Sequence, residues 1–473
     1  MANVSYIMNP LRNPWFWMFF ACLFVMYLTL GLSLQEAGIL SEETRWYSFQ
    51  ARTVWWGDPG GLGIIGVETP PIPHIPYLLL IHPVLVASFV AAFSMGFLIL
   101  YILKHYQTLQ VKVFLIALLI LSPSMLFLSL QSPRTIIFFM LNILSFYFLM
   151  EFSVKEESFF IMIFGLIFGM LVLIDFSIIF SLIFLFIFFF LFFKKMRVLE
   201  YTFVSVFPLV FLFLSWILLN TMFTNDPAAT ISGWFAAFSP KNGFRYLIQF
   251  LHSSAFFVIL YGFTLIVVGR FLRFFRSPLF FTLVLPWCNL ILLGFFHESG
   301  AFMANSKLLL INYIILFPYI GRLMNERRLR NIIAFLFLLT LVWEFVGVRR
   351  NTEEDVFFQW LTAQPVVSIS QESKSILALF SDQERIWVSD PSLYSALYHS
   401  DDLSRWVLPN HEDHGLVSMQ PSLYVGWIFT IGSDQRPYSD FDLIYESKKY
   451  KILQNRNPEM MQWGKELRSA YSP

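Results

Sequence analysis

Residues 176–193 read FSIIFSLIFLFIFFFLFF, a run in which only Ser177 and Ser181 interrupt the apolar side chains. No soluble core absorbs a segment so uniform. A helix needs about 20 apolar residues to cross the hydrocarbon layer, and inside that layer each segment must satisfy its own backbone polar groups. Helix is therefore the expected state. Working outward, comparable stretches lie near 14–34, 77–103, 113–131, 134–152, 159–174, 199–220, 246–269, 278–296, 308–325 and 331–348. The pattern predicts a polytopic α-helical membrane protein with about eleven spans. Composition agrees: of 473 residues, 57% are hydrophobic and 13% charged, against roughly 25% charged in an ordinary soluble domain. No small-residue cleavage site follows the first run, so 14–34 reads as a retained helix and not a signal peptide.

Orientation follows from Lys and Arg. With the N-terminus inside, the cytoplasmic segments hold fourteen of them, and the opposite loops hold six: Arg45, Arg52, Arg134, Lys241, Arg245 and Lys307. An odd number of spans then carries everything beyond Arg350 to the outer side. Residues 351–473 are a different material, with 10 basic and 17 acidic residues against 22 and 14 in 1–350. Short apolar stretches (VVSIS, RIWVSD, LYVGWIFTIG, FDLIYE, KYKILQ) alternate with helical ones (EEDVFFQWLTA, ESKSILALF, PSLYSALYH). That alternation predicts a C-terminal soluble α/β domain. Both cysteines, Cys22 and Cys288, fall in membrane helices, so no disulfide framework is expected outside.

Chemistry is expected in the outer loops, since the cytoplasmic ones are short and merely basic. The longest loop, residues 35–76, opens with the acids Glu42 and Glu43. It continues as an aromatic, helix-like stretch (Trp46, Tyr47, Phe49, Trp55, Trp56) suited to lying in the membrane interface, and leads through a Pro-rich run into the second span. A plain interfacial loop with solvated charges accounts for it; so does a carboxylate held at the membrane surface as a base. A second outer loop, His297–Lys307, carries His297, Glu298 and, at a helix start, Lys307, which reads either as a snorkelling anchor or as a phosphate contact. The third, residues 221–245, contains Asp226 before a proline, ordinary turn chemistry, with Lys241 and Arg245 beyond. Arg134 follows Ser132-Pro133 in a tight outer turn. Asp175 and Glu344 stand beside apolar runs near the water interface. His411-Glu412-Asp413-His414 reads as a solvated loop, because no third ligand stands at metal-binding spacing.

The order Glu43-Thr44-x-x-Tyr47-x-x-x-Ala51-Arg52, a Gly57-Asp58 turn, then Pro70-Pro71 and Tyr77 resembles the first outer loop of the GT-C glycosyltransferases. The nearest branch is that of the aminoarabinose transferases and protein O-mannosyltransferases. Ser306-Lys307, Asn312-Tyr313 and Phe317-Pro318-Tyr319 resemble that family's late outer loop more loosely. Two departures stand out: Glu rather than Asp comes first, and Thr44 replaces a second acid. A register one residue earlier makes Glu42 the counterpart.

The resemblance implies transfer of a sugar from a polyprenyl-phosphate donor to an acceptor on the outer face of a bacterial inner membrane. It implies Glu43, or Glu42, as the catalytic base, and Asp226 or Glu298 as a second acid for acceptor or metal. It also implies Lys307, Arg134, Lys241, Arg245, Arg52, Tyr47 and His297 around the substrates. No cofactor is required by the residues, a divalent metal is left open, and no nucleic acid partner is expected. Two rivals remain. A lipid-linked sugar transporter or flippase would show paired repeats and broken midplane helices. A polysaccharide ligase or polymerase would lean on outer arginines.

Overall fold

The computed structural model describes residues 13–57, 71–105, 109–174, 195–224, 352–366, 371–380, 384–409 and most of 414–457, with isolated positions between them. In chain order come α1 (Pro14–Glu36), α2 (Glu42–Trp56), α3 (His74–Leu80), α4 (Pro83–His105), α5 (Leu109–Leu121), α6 (Pro123–Gln131), α7 (Pro133–Lys155), α8 (Ser158–Val172) and α9 (Lys195–Thr224). After these follow α10 (Thr352–Leu361), α11 (Gln371–Leu377), β1 (Ile386–Val388), α12 (Tyr394–Leu397), β2 (Trp406–Val407), α13 (His414–Met419), α14 (Pro421–Tyr424), β3 (Trp427–Ile431), β4 (Phe441–Glu446) and β5 (Tyr450–Asn455). The chain divides into two compact units. One comprises Met1–Gln35, Pro70–Ile75 and Val84–Val366; the other comprises Glu36–Thr69, Pro76–Pro83 and Val367–Pro473.

Among the described residues of the first unit, three helices are long and apolar enough to cross a membrane: Pro14–Glu36, Pro83–Lys104 and Leu199–Met222. A fourth span results if Met125–Gln131 and Pro133–Leu149, bent by 119°, count as one. At about 1.5 Å per residue the 23 residues of α1 reach across a hydrocarbon core. Along α9, Phe203, Phe207, Phe211, Leu214 and Leu218 form a helical stripe, each more than half exposed, as a lipid-facing surface requires. The opposite side of α9 packs on α8 through Gly165 and Gly169. A Cβ on Gly165 would strike the Ser205 backbone, and one on Gly169 would lie 3.0 Å from the Leu209 Cα. Small residues four apart let two membrane helices approach closely where lipid supplies no hydrophobic drive.

Two expected helices are broken. The stretch 77–103 is α3 and α4, separated at Ile81 and His82. Pro83 pushes its predecessor out of helical geometry, and Ile81 takes a left-handed φ of 59°. The stretch 113–131 divides at Ser122, whose side chain caps Met125 N at 3.4 Å ahead of Pro123. The expected spans at 246–269, 278–296, 308–325 and 331–348 lie outside the described residues, as does most of 176–193.

The second unit is built on a five-stranded sheet of order β2-β1-β3-β5-β4. Strands β2, β1 and β3 are parallel, while β5 and β4 run antiparallel to their neighbours. Successive strand residues face opposite sides, and two cores result. Ile386, Val388, Trp427, Phe429 and Ile452 join one of them, whereas Trp387, Ile428 and Leu453 join the other, under Val417 of α13. The first core is completed from far upstream. Phe49 and Val54 of α2 pack there with Phe380, Tyr394, Leu397 and Trp406. Two aromatic residues of the loop helix, Tyr47 and Phe49, are thus covered by protein, while Trp55 and Trp56 are exposed. The buried positions of α2, from Thr44 to Val54, cover most of its circumference, and the helix forms a layer of the C-terminal α/β unit.

Candidate functional site

Helix α2 starts where the sequence provides a cap. The Ser41 hydroxyl accepts from Thr44 N at 3.1 Å, and Glu42 and Glu43 occupy the first turn, where the helix dipole favours acids. About 100° of helical rotation separates these two neighbours, and their environments differ accordingly. Glu42 is exposed; its Oε1 accepts from Ser395 Oγ at 3.2 Å and its Oε2 lies 3.7 Å from Lys449 Nζ. Glu43 is half-buried, and its Oε1 is closed off from water.

Glu43 lies close to one phenol, that of Tyr77. Tyr77, brought in by α3, is almost fully buried and stacks on the equally buried Tyr47, with ring centroids 5.4 Å apart and planes 17° from parallel. Burial pushes the Tyr77 phenol well above its ordinary range; Thr44 opposes the shift, while Glu43, Tyr47 and Tyr398 add to it. Tyr77 is thus a neutral hydroxyl beside the carboxylate. Tyr398, just beyond α12, is raised by burial and pulled back by Arg52 and Arg45. Glu43, Thr44, Tyr47, Tyr77 and Tyr398 form one polar-aromatic cluster within the second unit. Glu43 is thus half-buried close to the Tyr77 phenol, on a helix whose Phe49 and Val54 are packed into the core.

Arg52 has a visible structural duty. Its Nη1 and Nη2 donate to the carbonyls of Tyr398 at 2.8 Å and Ser400 at 2.9 Å, the backbone that leaves α12. Trp46 Nε1 likewise donates to the Pro391 carbonyl at 2.8 Å. Arg134, in the first unit, stands half-buried in the opening turn of α7, where a cation opposes the helix dipole. Near it His74 is fully buried, its pKa lowered to about 3 by burial and then by the Arg134 charge. Asp226, Lys241, Arg245, His297, Glu298 and Lys307 lie outside the described residues, as does His411. Among the described residues no three His, Cys, Asp or Glu side chains gather as a metal site.

Tyr77 enters the sequence reading only within the Pro70-Pro71-Tyr77 motif, and Arg45 only as a loop charge. Tyr398 lies at the end of a short amphipathic stretch that nothing in the sequence connects to residue 43. A comparison with protein-family models finds no match for this chain, and neither does one with curated proteins.

Proposed function

We propose that the protein is a membrane glycosyltransferase that moves a sugar from a polyprenyl-phosphate donor to an extracytoplasmic acceptor, with Glu43 as general base. The observation that carries this reading is the setting of Glu43: half-buried, on a rigid helix, next to the neutral Tyr77 phenol, while Glu42 turns to Ser395 and Lys449. In the reaction the Glu43 carboxylate takes the proton of an acceptor O–H or N–H. The acceptor atom bonds to the anomeric carbon, and the bond from that carbon to the lipid phosphate oxygen breaks with inversion. The transition state has oxocarbenium character, and the departing phosphate needs cations. By resemblance these are Lys307, Arg134, Lys241 and Arg245. The Lys/Arg bias, with the eleven spans expected from the sequence, supports an outer, periplasmic location for this chemistry.

The test is Glu43→Gln, which keeps shape and removes the proton acceptor. General bases contribute typically 10²–10⁴-fold, so we expect normal insertion and donor binding but transfer slower by about a hundredfold or more. Glu42→Gln is the control and should be mild. Reversal of the two phenotypes would move the base to Glu42. Full activity in both, or no transfer by the wild type with any polyprenyl donor, would discard the assignment in favour of a transporter.

A further inference from the structure

We propose that the seam between α2 and the residues just beyond α12 binds the anionic group, phosphate or carboxylate, of the acceptor. The starting observation is Arg45. It is 3% exposed, yet its Nη1 reaches only the Ser373 hydroxyl and the Ser395 carbonyl, both at 3.3 Å. Its Nε makes no hydrogen bond, and among the described residues it forms no ion pair; the nearby acid Glu42 turns to Ser395 and Lys449. Proteins seldom leave a guanidinium buried without a counter-charge, because desolvation then goes uncompensated.

Arg45 is not alone. The imidazole of His399 feels the charges of Lys374, Arg45 and Arg52 together. Arg52 is satisfied by backbone carbonyls, which carry no charge. Lys374, at the exposed surface of α11, marks the open side of the cluster. His399 Nε2 is buried without a hydrogen-bond partner. This positive island sits in a segment whose net charge is −7, with 10 basic against 17 acidic residues over 351–473. An oxyanion entering past Lys374 would meet the unspent donors of Arg45 and His399.

The same seam adjoins the base. Tyr398 feels Arg45 and Arg52 on one side, and Tyr77, which also feels Glu43, on the other. Lys374, Tyr398 and His399 belong to elements without any apolar span, which suits a group arriving through water. Assignment to the acceptor rests on the transferase reading; the anion site itself does not.

The experiment uses the full chain in detergent, with inorganic phosphate as probe and the thermal unfolding midpoint as readout. Phosphate should raise the midpoint of the wild type and of Glu43→Gln alike. Lys374→Glu should weaken the apparent affinity about tenfold, equivalent to losing one charge-assisted contact, and Arg45→Met should abolish the response. If Arg45→Met fails to fold, His399→Gln takes its place and should weaken the response. Pre-saturation with polyprenyl phosphate should leave the phosphate effect intact. Its disappearance there would make this the donor's phosphate site and overturn the acceptor assignment. A midpoint that phosphate does not move, or moves equally in all variants, would overturn the site. Retained phosphate binding with wild-type transfer in Glu43→Gln would sink the base assignment alone.

Discussion

Replacing Phe49 by Ala tests the least expected feature of the fold, a loop helix near the start of the chain built into a core at its end. Phe49 is 0% exposed and packs against Tyr394 with ring centroids 5.4 Å apart. A buried Phe→Ala change costs about 3–5 kcal/mol, through lost transfer free energy and the cavity left behind. A domain has only about 5–15 kcal/mol in total, so the α/β unit should lose a large share of its stability. Trp387, Trp406 and Trp427 report on that unit's cores, and their fluorescence during urea unfolding in detergent gives the midpoint. Trp56→Ala is the control. That ring is 61% exposed, and its removal should change stability by less than about 0.5 kcal/mol. If Phe49→Ala leaves the tryptophan transition in place while the loop alone becomes protease-sensitive, the loop is not part of that core.

Three further outcomes follow. Arg52→Ala leaves the Tyr398 and Ser400 carbonyls without their charged donor and should cost about 2 kcal/mol in the same unfolding assay; Arg52→Lys should recover only part, since an ammonium lacks the fork that serves both carbonyls. His399 has its pKa lowered from 6.5 to about 4, mainly by burial. Protons therefore bind the unfolded chain first, and stability of the unit should climb with pH between about 4 and 6.5 and level off above. Urea midpoints across that range should show this slope, and His399→Gln should reduce it. A reporter fused after Ser472 should be active only outside the cytoplasm; cytoplasmic activity would refute the orientation.

How much of this was legible in the sequence depended on how local its cause was. The apolar runs of α1, α4 and α9 declare themselves, because spanning demands length and apolarity and both are written residue by residue. Strands β1, β4 and β5 emerged from short apolar stretches, but β2 is two residues long, Trp406–Val407, too brief to leave a period. The break at Ile81 had its signal in Pro83, masked by the hydrophobicity on both sides. The placement of α2 was not legible. Trp46, Phe49 and Val54 lie on a face that suits a membrane surface and a protein core equally well, and the choice is made by Tyr394 and Trp406, far along the chain. The divergence of Glu42 and Glu43 follows from helical geometry alone, but which of them turns toward Tyr77 required the partner elements.

The docking of α2 also sets a timetable. Arg45 and its acceptor Ser395 are 350 residues apart, an interval of roughly 20–70 s at translation rates of about 5–20 residues per second. Throughout that time a helix carrying Arg45, Phe49 and Gln50, all buried in the finished protein, stands without the strands that will cover it. Synthesis interrupted before β3 would leave the membrane helices in place and Glu43 on an unsupported helix. On the proposed reading, the helix that carries Glu43 gains its supporting core only once β1, β3 and β5 have been made.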